Sequence, residues 1–412
     1  MTVKSTKIKI QQEQSISGAL LLIIGIIFIS TNLRSPLTSV GPLIGTLRDN
    51  LGIPNSIIGL ITTIPLLAFA LFSSLAPKLS RQLGLERLLF ISLIILTLGI
   101  AVRSIAGEFM LFAGTVLIGL AISVSNVLLP SLIKRDFEDK VGLMTGVYSV
   151  SMNLCGAIAS GISVPLAVGM HLGWNGALGI WGLLSLVSIL LWLPQLRRAG
   201  GAKTITYNPH KPETNLWKSK IAWGVTFFMG LQSLIFYVLV AWLPEILIDK
   251  GVSSSTAGWM LSLMQLAILP ITFVVPIAAG RMKNQKSLVI VTAVLYFFGT
   301  LGLLYGGSYT IIASVILLGI GVGSSFSLAM MFFSLRTRTA PESAELSGMA
   351  QAVGYLLAAV GPAIFGILHG ITKGWTVPLL ILIITALLLL LAGLIAGSKG
   401  FAGSEKIKQA AE

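Results

Sequence analysis

The sequence predicts an all-α membrane protein with about twelve transmembrane helices, and three observations support this class. Of the 412 residues, 55% are hydrophobic and only 10% are charged, whereas charged residues make up about a quarter of a typical soluble domain. The apolar runs are continuous and long enough to cross a hydrocarbon core, which takes roughly 20 helical residues. The alternating apolar and polar segments of a membrane barrel do not occur. Helices are therefore the expected form of each span, since they satisfy their own backbone groups.

The apolar runs fall into two sets of six, separated by short polar connectors. The predicted spans of the first half begin near Ser17, Asn55, Arg87, Glu108, Val141 and Trp174. Those of the second half begin near Lys220, Ser255, Lys286, Tyr309, Ala344 and Trp375. A polar, basic segment with two prolines lies between the halves and predicts a linker. The predicted domains are therefore a six-helix bundle at residues 1–196, a cytoplasmic linker at 197–219 and a second bundle at 220–412.

Membrane topology explains the net charge of +14 better than nucleic-acid binding, because the basic residues lie in short connectors and form no continuous stripe. Only four of them fall on the side opposite the linker: Arg48, Arg103, Lys250 and Lys373. The positive-inside rule then predicts that both termini are cytoplasmic. Trp174 and Trp375 open the sixth and twelfth spans, where we expect their indole rings to anchor in the outer headgroup region.

The two halves are related by a shift of about 200 residues. Matching positions occur in the same order along both halves: Pro42 and Pro244, Gly59 and Gly258, Gly119 and Gly319, Arg135 and Arg336, Gly146 and Gly348, and Gly173-Trp174 and Gly374-Trp375. Because six spans separate the copies, both halves run in the same direction through the membrane. Parallel repeats of this kind indicate a transporter with a substrate site near the midplane.

Arg34 is the one charged side chain that we expect deep within a span, because the first apolar run continues from Ser17 through Gly45. An arginine near the bilayer centre costs about 2.5 to 3.5 kcal/mol, so it is expected to face the protein interior. All 14 acidic residues fall in tails, loops or span ends, and none is expected beside it in mid-membrane. Two hypotheses follow. Arg34 receives an anionic or dipolar ligand with its planar fork of donors, or it binds backbone carbonyls at a helix break beside Pro36.

Further polar and aromatic side chains are candidates for the wall of a substrate cavity. On a helix, Thr38 shares a face with Arg34, and Asn32 lies on a neighbouring stripe. The other candidates are Asn126, Tyr148, Gln232, Phe236, Phe326, Gln351 and Tyr355. Each is also explained as an interhelical hydrogen bond or a packing aromatic, because polar side chains join helices in membranes. The sequence has no metal-ligand cluster, nucleophile group or phosphate loop, so neither a cofactor nor an enzyme is expected.

The run Asn-Leu-Arg-Ser-Pro-Leu-Thr-Ser-Val-Gly-Pro at residues 32–42 resembles the first span of the bacterial cyanate and 2-nitroimidazole transporter family of the major facilitator superfamily. The resemblance covers nearly the whole chain, continuing at 81–87, Arg103, 130–135, 242–244 and 346–351. It implies the major facilitator fold, with 12 transmembrane helices in two pseudo-symmetric six-helix bundles of a bacterial cytoplasmic membrane protein. It also implies transport of small planar polar or anionic compounds, and the family's arginine maps onto Arg34.

The connector from Ala76 to Arg87 resembles the superfamily's loop between spans two and three. It departs from that pattern, with Ala76 in place of the first glycine and Ser80 in place of the aspartate. The usual charge relay is therefore in doubt. Arginines can still close this face by binding helix C-terminal carbonyls, and the candidate gating residues are Arg81, Arg87 and Arg281. Topology signals explain the same residues equally well.

The leading hypothesis is a secondary active or facilitative transporter that works by rocking of its two halves. The expected partners are a small-molecule substrate, a proton or an exchanged anion, and the lipid bilayer, in a monomer that binds no nucleic acid. A multidrug exporter is one alternative, although acidic residues would then be expected in the cavity. A transporter-like membrane sensor is another, although the tail after Gly397 offers no signalling domain.

Overall fold

The computed structural model describes residues 18–53, 60–199 and 216–402, and these ranges contain helices and no strand. Eleven of the helices are long and apolar enough to span a membrane, and one bent pair makes a twelfth. The predicted all-α class is therefore confirmed. Asn55 and the two linker prolines, Pro209 and Pro212, lie outside the described residues.

The helices of the first half follow the predicted order. Helix α1 extends over Gly18–Leu51 with internal breaks, and α2 is the pair Leu60–Phe72 and Ala76–Leu83, bent by 58°. The others are α3 Leu85–Arg103, α4 Glu108–Asp136, α5 Val141–Val164 with a π-helical extension at Pro165–Gly169, and α6, made of Gly173–Gly179 and Trp181–Ala199. A short 3-10 helix, Glu138–Lys140, joins α4 to α5.

The second half begins with a 3-10 turn at Leu216–Lys218. Six long helices follow it: α7 Lys220–Asp249, α8 Ser254–Arg281, α9 Lys286–Tyr305, α10 Ser308–Leu335, α11 Ala340–Thr372 and α12 Thr376–Ala396. The predicted starts agree closely with these bounds. The largest difference in this half is at α11, predicted near Ala344 and observed from Ala340, where Thr339 caps the helix by accepting from the Glu342 amide.

The connector predicted from Ala76 to Arg87 is mostly helical instead of a loop. Ala76–Leu83 forms the second arm of α2 after a three-residue turn. Only Gly84 separates this arm from α3, and its φ of 83° lies in the left-handed region. Glycine adopts that region without steric cost, so one residue is enough to end the arm and begin α3. The predicted loop was wrong because a single glycine connects the two helices and the basic residues before it are helical.

Backbone packing divides the chain into two compact units. Unit 1 comprises Met1–Ile61, Gln82–Ser125 and Ser151–Tyr207. Unit 2 comprises Thr62–Arg81, Asn126–Val150 and Asn208–Glu412, so it takes two segments from the first half of the sequence. The predicted domain boundaries, with the linker at 197–219, are not tested by this grouping and stay a prediction.

Small residues and buried indole rings hold the helices of unit 1 together. A Cβ atom at Gly25 of α1 would lie 2.7 Å from the Trp192 ring of α6. The Trp192 indole is fully buried and donates a hydrogen bond to the Glu86 carbonyl of α3, at 3.0 Å. Close approach through glycine is the usual way that helices associate in lipid. One indole ring therefore joins three spans.

The two tryptophans that we expected at the outer surface are buried. Trp174 is 6% exposed and packs with Leu43 and Leu47 of α1. Trp375 is also 6% exposed, and its ring stacks on His369 with centroids 4.2 Å apart. Each indole has protein neighbours within its own unit, so these rings pack inside the protein instead of anchoring in the headgroup region.

Candidate functional site

Helix α1 is broken at its middle, next to the residues that the sequence singled out. A helix over residues 18–32 gives way to a turn that contains Arg34, followed by the short helix Ser35–Thr38 and the 3-10 turn Gly41–Leu43. Pro36 has no backbone N–H and fits only the first turn of a helix, which accounts for the break. The break puts Arg34 at the start of the short helix, about halfway along the span.

Arg34 is half-buried, and its side chain packs against α5 at Gly156. A Cβ atom at Gly156 would lie 3.0 Å from Arg34 Cβ and 3.5 Å from Arg34 Cδ. The Thr38 hydroxyl donates to the Gly156 carbonyl at 2.7 Å and to the Arg34 carbonyl at 3.1 Å. Arg34 and Thr38 therefore share the face of α1 that contacts α5, as predicted from their spacing.

Asn32 contacts a different neighbour. Its side chain is fully buried, and Nδ2 donates to the Ser188 hydroxyl of α6 and to the Phe28 carbonyl, both at 2.7 Å. Its Oδ1 has no hydrogen-bond partner among the described residues. The structure thus brings Asn32 to α6 and not to the Arg34 face. Asn32 therefore forms an interhelical hydrogen bond, which was the alternative explanation given for each candidate.

Arg103 is the residue of this region that sequence reasoning missed. It ends α3, is 1% exposed, and its Nη1 donates to the Pro36 carbonyl at 2.6 Å. From the sequence, Arg103 was expected as one of four basic residues on the side opposite the linker and as part of the family resemblance. The sequence did contain a signal for it. Arg103 ends an apolar run on the outer side, where the positive-inside rule does not account for a basic residue. The backbone acceptor at the break beside Pro36 is therefore bound by Arg103.

Two candidates of the first half, Asn126 and Tyr148, lie together in unit 2. The Tyr148 hydroxyl donates to Asn126 Oδ1 at 3.3 Å, and both side chains are buried. The Met330 sulfur of α10 lies 3.9 Å from the same hydroxyl. The pair joins α4 to α5, and the role of either residue in substrate binding stays a prediction.

The amide candidates of the second half bond within their own helices. Gln232 Nε2 donates to the Ser233 hydroxyl at 2.7 Å, and Gln351 Nε2 donates to the Ser347 hydroxyl at 2.8 Å. Both side chains are buried, and Gln351 Oε1 has no hydrogen-bond partner in the described part of the chain. A buried amide oxygen without a donor is costly. Of the two glutamines, Gln351 is the one whose Oε1 is buried and can still accept a hydrogen bond.

The aromatic candidates lie in unit 2. The Tyr355 ring packs on Phe69 of α2 with centroids 4.9 Å apart. Phe236 is half-buried and meets Tyr237 edge to face at 5.1 Å. Phe326 is buried in α10. The role of each ring in substrate binding stays a prediction.

Among the candidate gating residues, Arg81 forms an ion pair with Glu345 of α11. Arg87 near the start of α3 and Arg281 at the end of α8 are exposed. The arm Ala76–Leu83 therefore has an acidic partner on α11, although Ser80 replaces the aspartate of the superfamily pattern. A gating role for the three arginines stays a prediction.

Glycines bring backbones together in the part of unit 2 that contains this ion pair, which we call the crossing region (residues 73–81, 131–142, 276–281 and 334–348). A Cβ atom at Gly142 of α5 would lie 2.5 Å from the Pro276 carbonyl oxygen of α8. A Cβ atom at Gly348 of α11 would lie 2.7 Å from the Ser73 carbonyl oxygen. Neither position has room for a larger residue unless the helices separate.

Two hydrogen bonds connect α4 to the second half in the crossing region. The Ser131 hydroxyl donates to the Ala340 carbonyl at 2.6 Å. The Lys134 ammonium donates to the Ser334 carbonyl, in the last turn of α10, at 2.8 Å. A cation at the C-terminal end of a helix is favourable because the last carbonyls lack amide partners. The region therefore combines glycine contacts with a few polar bonds.

A second buried arginine, Arg336, follows α10. Its Nη2 donates to Gln285 Oε1, and its carbonyl accepts from the Ala402 amide at 2.7 Å. Burial lowers the pKa of the Arg336 guanidinium to about 10, so it stays charged at neutral pH. Gln285 Nε2 in turn donates to the Ala279 carbonyl at 3.0 Å. These bonds tie together the connectors at one end of α8, α10 and α12.

Comparison with known proteins places these features in a family context. The sequence model of the Major Facilitator Superfamily matches residues 20–292 and 225–406. The "Uncharacterized transporter YycB" of Bacillus subtilis (strain 168) is 49% identical over 377 residues, 91% of this chain and 93% of that protein. The 2-nitroimidazole transporter of Escherichia coli (strain K12) is 41% identical over 385 residues, covering 93% and 97%. Cyanate transport protein CynX of the same strain is 26% identical, covering 86% and 91%.

Solved structures share the architecture. The proton:xylose symporter XylE has a TM-score of 0.75 at 12% sequence identity, covering 94% of this chain and 98% of that one. FucP in the outward conformation has a TM-score of 0.70 at 10% identity, covering 92% and 99%. At such identities the likeness concerns the fold alone. It confirms the predicted major facilitator fold with two six-helix bundles.

Proposed function

The chain belongs to the Major Facilitator Superfamily, and from that premise we propose that it carries a small planar polar or anionic organic compound across the bacterial cytoplasmic membrane. The protein is a transporter, and in this proposal it is secondary active or facilitative and works by rocker-switch alternating access with cytoplasmic termini. Its likeness to the 2-nitroimidazole transporter and, more distantly, to the cyanate transport protein supports a cyanate- or nitroimidazole-like substrate.

The observation that carries the proposal is that Arg34 is half-buried at the break in the middle of α1, on the face that it shares with Thr38. A charge in the membrane is costly, and a charge retained there usually has a functional role. Reception of a substrate is such a role. A guanidinium offers parallel donors that match carboxylate-like, cyanate or nitro oxygens.

The proposed substrate contacts in unit 1 are Arg34 and Thr38, which share the face toward Gly156. Within unit 2, the proposed contacts are the amide and aromatic side chains Asn126, Tyr148, Gln232, Phe236, Phe326, Gln351 and Tyr355. Gln351 is favoured among the amides, because its Oε1 has no hydrogen-bond partner among the described residues. Asn32 is bonded to Ser188 through Nδ2, and its role as a substrate contact through Oδ1 stays a prediction.

The direction of transport determines whether energy must be supplied. Moving one negative charge inward against a potential of about 100 mV costs roughly 2.3 kcal/mol. Uptake of an anion therefore requires a co-transported proton, an exchanged anion or a steep gradient, whereas export runs downhill. Flux that depends on an imposed pH gradient separates proton coupling from exchange.

Reconstituted protein tests the proposal directly. A thermal-shift screen of 2-nitroimidazole, cyanate, nitrate and benzoate identifies ligands first, since a ligand at 100 times its Kd stabilises a protein by about 2.7 kcal/mol. Radiolabelled ligands are then followed into proteoliposomes. Flux of cationic dyes in place of these compounds would identify a multidrug exporter. Binding without flux would identify a sensor.

Arg34→Gln is expected to lower this flux at least about 100-fold, equivalent to roughly 2.7 kcal/mol, because the substrate loses its charged donors. The flux of Arg34→Lys should lie between that of the wild type and that of Arg34→Gln, because lysine retains the charge without the planar fork. Arg48→Gln is the matched control, since Arg48 lies in the same helix but is exposed and paired with Asp49. Undiminished flux by folded Arg34→Gln protein would contradict the role of Arg34.

A further inference from the structure

The short helix after Arg34 is held at its C-terminal end by a residue from another span. Ser35–Thr38 is a single turn, and one turn of helix is not stable on its own. The Ser39 amide bonds the Ser35 carbonyl at 3.1 Å. The next carbonyl, that of Pro36, accepts from Arg103 at 2.6 Å and from the Ser39 hydroxyl at 3.4 Å. A cation at this position stabilises the carbonyl end of a helix.

Arg103 is held firmly by its surroundings. The backbone of α4 packs against it at Gly114, where a Cβ atom would lie 2.4 Å from the backbone nitrogen of Arg103. Arg103 Nε and Nη2 are buried and have no hydrogen-bond partner among the described residues. Burial of a charge is costly, and buried donors without acceptors add to that cost, so one hydrogen bond offsets it only in part. Overall stability is therefore a poor explanation for this arginine.

The same segment of α1 is attached to α5 on its other side. The Thr38 hydroxyl donates to the Gly156 carbonyl, and Cys155 directly precedes Gly156 in α5. The segment that begins at Arg34 thus lies between a bond from α3 and a bond to α5. If the α3 bond is removed, the segment can turn on its α5 contacts, and the Arg34 side chain turns with it.

We propose that Arg103 is a positioning residue for substrate binding, which fixes the broken segment of α1 so that Arg34 points at the substrate. The inference rests on the proposed function, in which Arg34 receives the substrate. Arg103 itself touches no substrate and acts through the Pro36 carbonyl. It determines the apparent affinity for an anionic or dipolar compound without taking part in the conformational change.

The experiment compares Arg103→Met, Arg103→Lys and the control Arg336→Met in proteoliposomes. Arg336 suits the control because it is also buried and its Nε also lacks a hydrogen-bond partner in the described ranges. Three quantities are measured: the KM and maximal rate of 2-nitroimidazole flux, the melting temperature, and the rate of maleimide labelling of Cys155. Cys155 is the single cysteine of the chain, so it reports on the α1–α5 contact with no further substitution.

Arg103→Met is expected to raise KM about tenfold, since a small misplacement of a binding group is enough for that loss. The maximal rate and melting temperature should change little, because removal of two buried N–H groups without partners offsets the lost bond to Pro36. Cys155 should react about fivefold faster, because the contact between α1 and α5 opens more often. Arg103→Lys should recover part of both effects, since lysine keeps the charge and one donor. Arg336→Met should leave KM and the Cys155 rate unchanged.

An unchanged KM and Cys155 rate in folded Arg103→Met protein would overturn the inference, as would an equal effect of Arg336→Met. If Arg103→Met does not fold, Arg103→Lys decides by the same two quantities. If the wild-type protein moves none of the tested compounds while Arg103→Met still accelerates Cys155 labelling, the proposed function fails and the attachment of α1 by Arg103 stands.

Discussion

The break in α1 and the crossing region are built from different kinds of contact. At the break, directional hydrogen bonds hold each side of the helix, from Arg103 on one side and through Thr38 on the other. In the crossing region, two hydrogen bonds from Ser131 and Lys134 accompany backbone contacts through Gly142 and Gly348. The ion pair of Arg81 there is partly exposed. Loss of a buried hydrogen bond leaves a costly unsatisfied group, whereas a glycine contact separates without one.

This difference predicts a fixed part of the molecule and a part that opens. A binding residue needs a geometry that persists, because the affinity for a planar ligand depends on the direction of its donors. A gate needs contacts that form and break at little cost. We therefore expect the break in α1 to stay fixed and the crossing region to open. Substitutions in each region make the comparison quantitative.

Gly142→Ala is expected to have the largest effect of the three substitutions below. Its Cβ atom would lie 2.5 Å from the Pro276 carbonyl oxygen, and overpacking of this kind typically costs about 1 to 3 kcal/mol. If the contact forms in only one state of the transport cycle, the penalty shifts the population toward the other state and slows flux. Labelling of Ser131→Cys in a Cys155→Ser background, together with flux, measures the opening.

Gly161→Ala is the matched control for this substitution. Gly161 lies in the same helix, α5, and a Cβ atom there meets nothing within 4 Å. Alanine should be neutral or slightly stabilising at that position, because it is a better helix former than glycine. Equal flux and equal Ser131→Cys labelling in the Gly142→Ala and Gly161→Ala variants would show that the Gly142 contact does not control opening.

Asn32→Ala is expected to give an intermediate effect, and only on stability. It removes the hydrogen bond to Ser188, and interhelical hydrogen bonds in membranes contribute about 0.6 to 1.7 kcal/mol. Unfolding of the purified variant measures the loss, and Ser188→Ala should give a similar loss that does not add to it. A large rise in KM without loss of stability would instead make Asn32 a substrate contact.

The ion pair in the crossing region should contribute least. The Arg81 and Glu345 side chains are 38% and 27% exposed, and such pairs are typically worth less than about 1 kcal/mol. A double-mutant cycle with Arg81→Gln and Glu345→Gln, read as flux at low and high salt, should show weak coupling that salt reduces further. Strong coupling that salt does not change would indicate a desolvated gate and remove the contrast between the regions.

Much of the fold was predictable from sequence because lipid imposes one form on every span. The apolar runs located the helices, and Pro36 located the break in α1. The spacing of Arg34 and Thr38 placed both on one face, and the structure agrees. The arm Ala76–Leu83 was not predicted. Only Gly84 separates it from α3, and so short a connection leaves too little polar sequence to distinguish a helix from a loop.

The candidate site was predictable only in part, because a hydrogen bond between distant spans leaves no periodic signal. Sequence spacing put Asn32 beside Arg34, but the partner Ser188 lies 156 residues away along the chain. Arg103 and Pro36 are 67 residues apart. The sequence around Asn32 or Arg103 does not predict which distant acceptor the buried donor will bind. Residue type indicated which side chains need a partner, and packing selected it.

By itself the sequence determined that the chain forms apolar helices in two related halves with an arginine in the middle of the first span. These features depend on composition and local periodicity, which lipid converts directly into structure. Only the tertiary structure decided that Arg103 binds the carbonyl of Pro36 in the broken helix. That choice depends on the packing of α3, α4 and α5 around α1, where Gly114 and Gly156 bring specific backbones close.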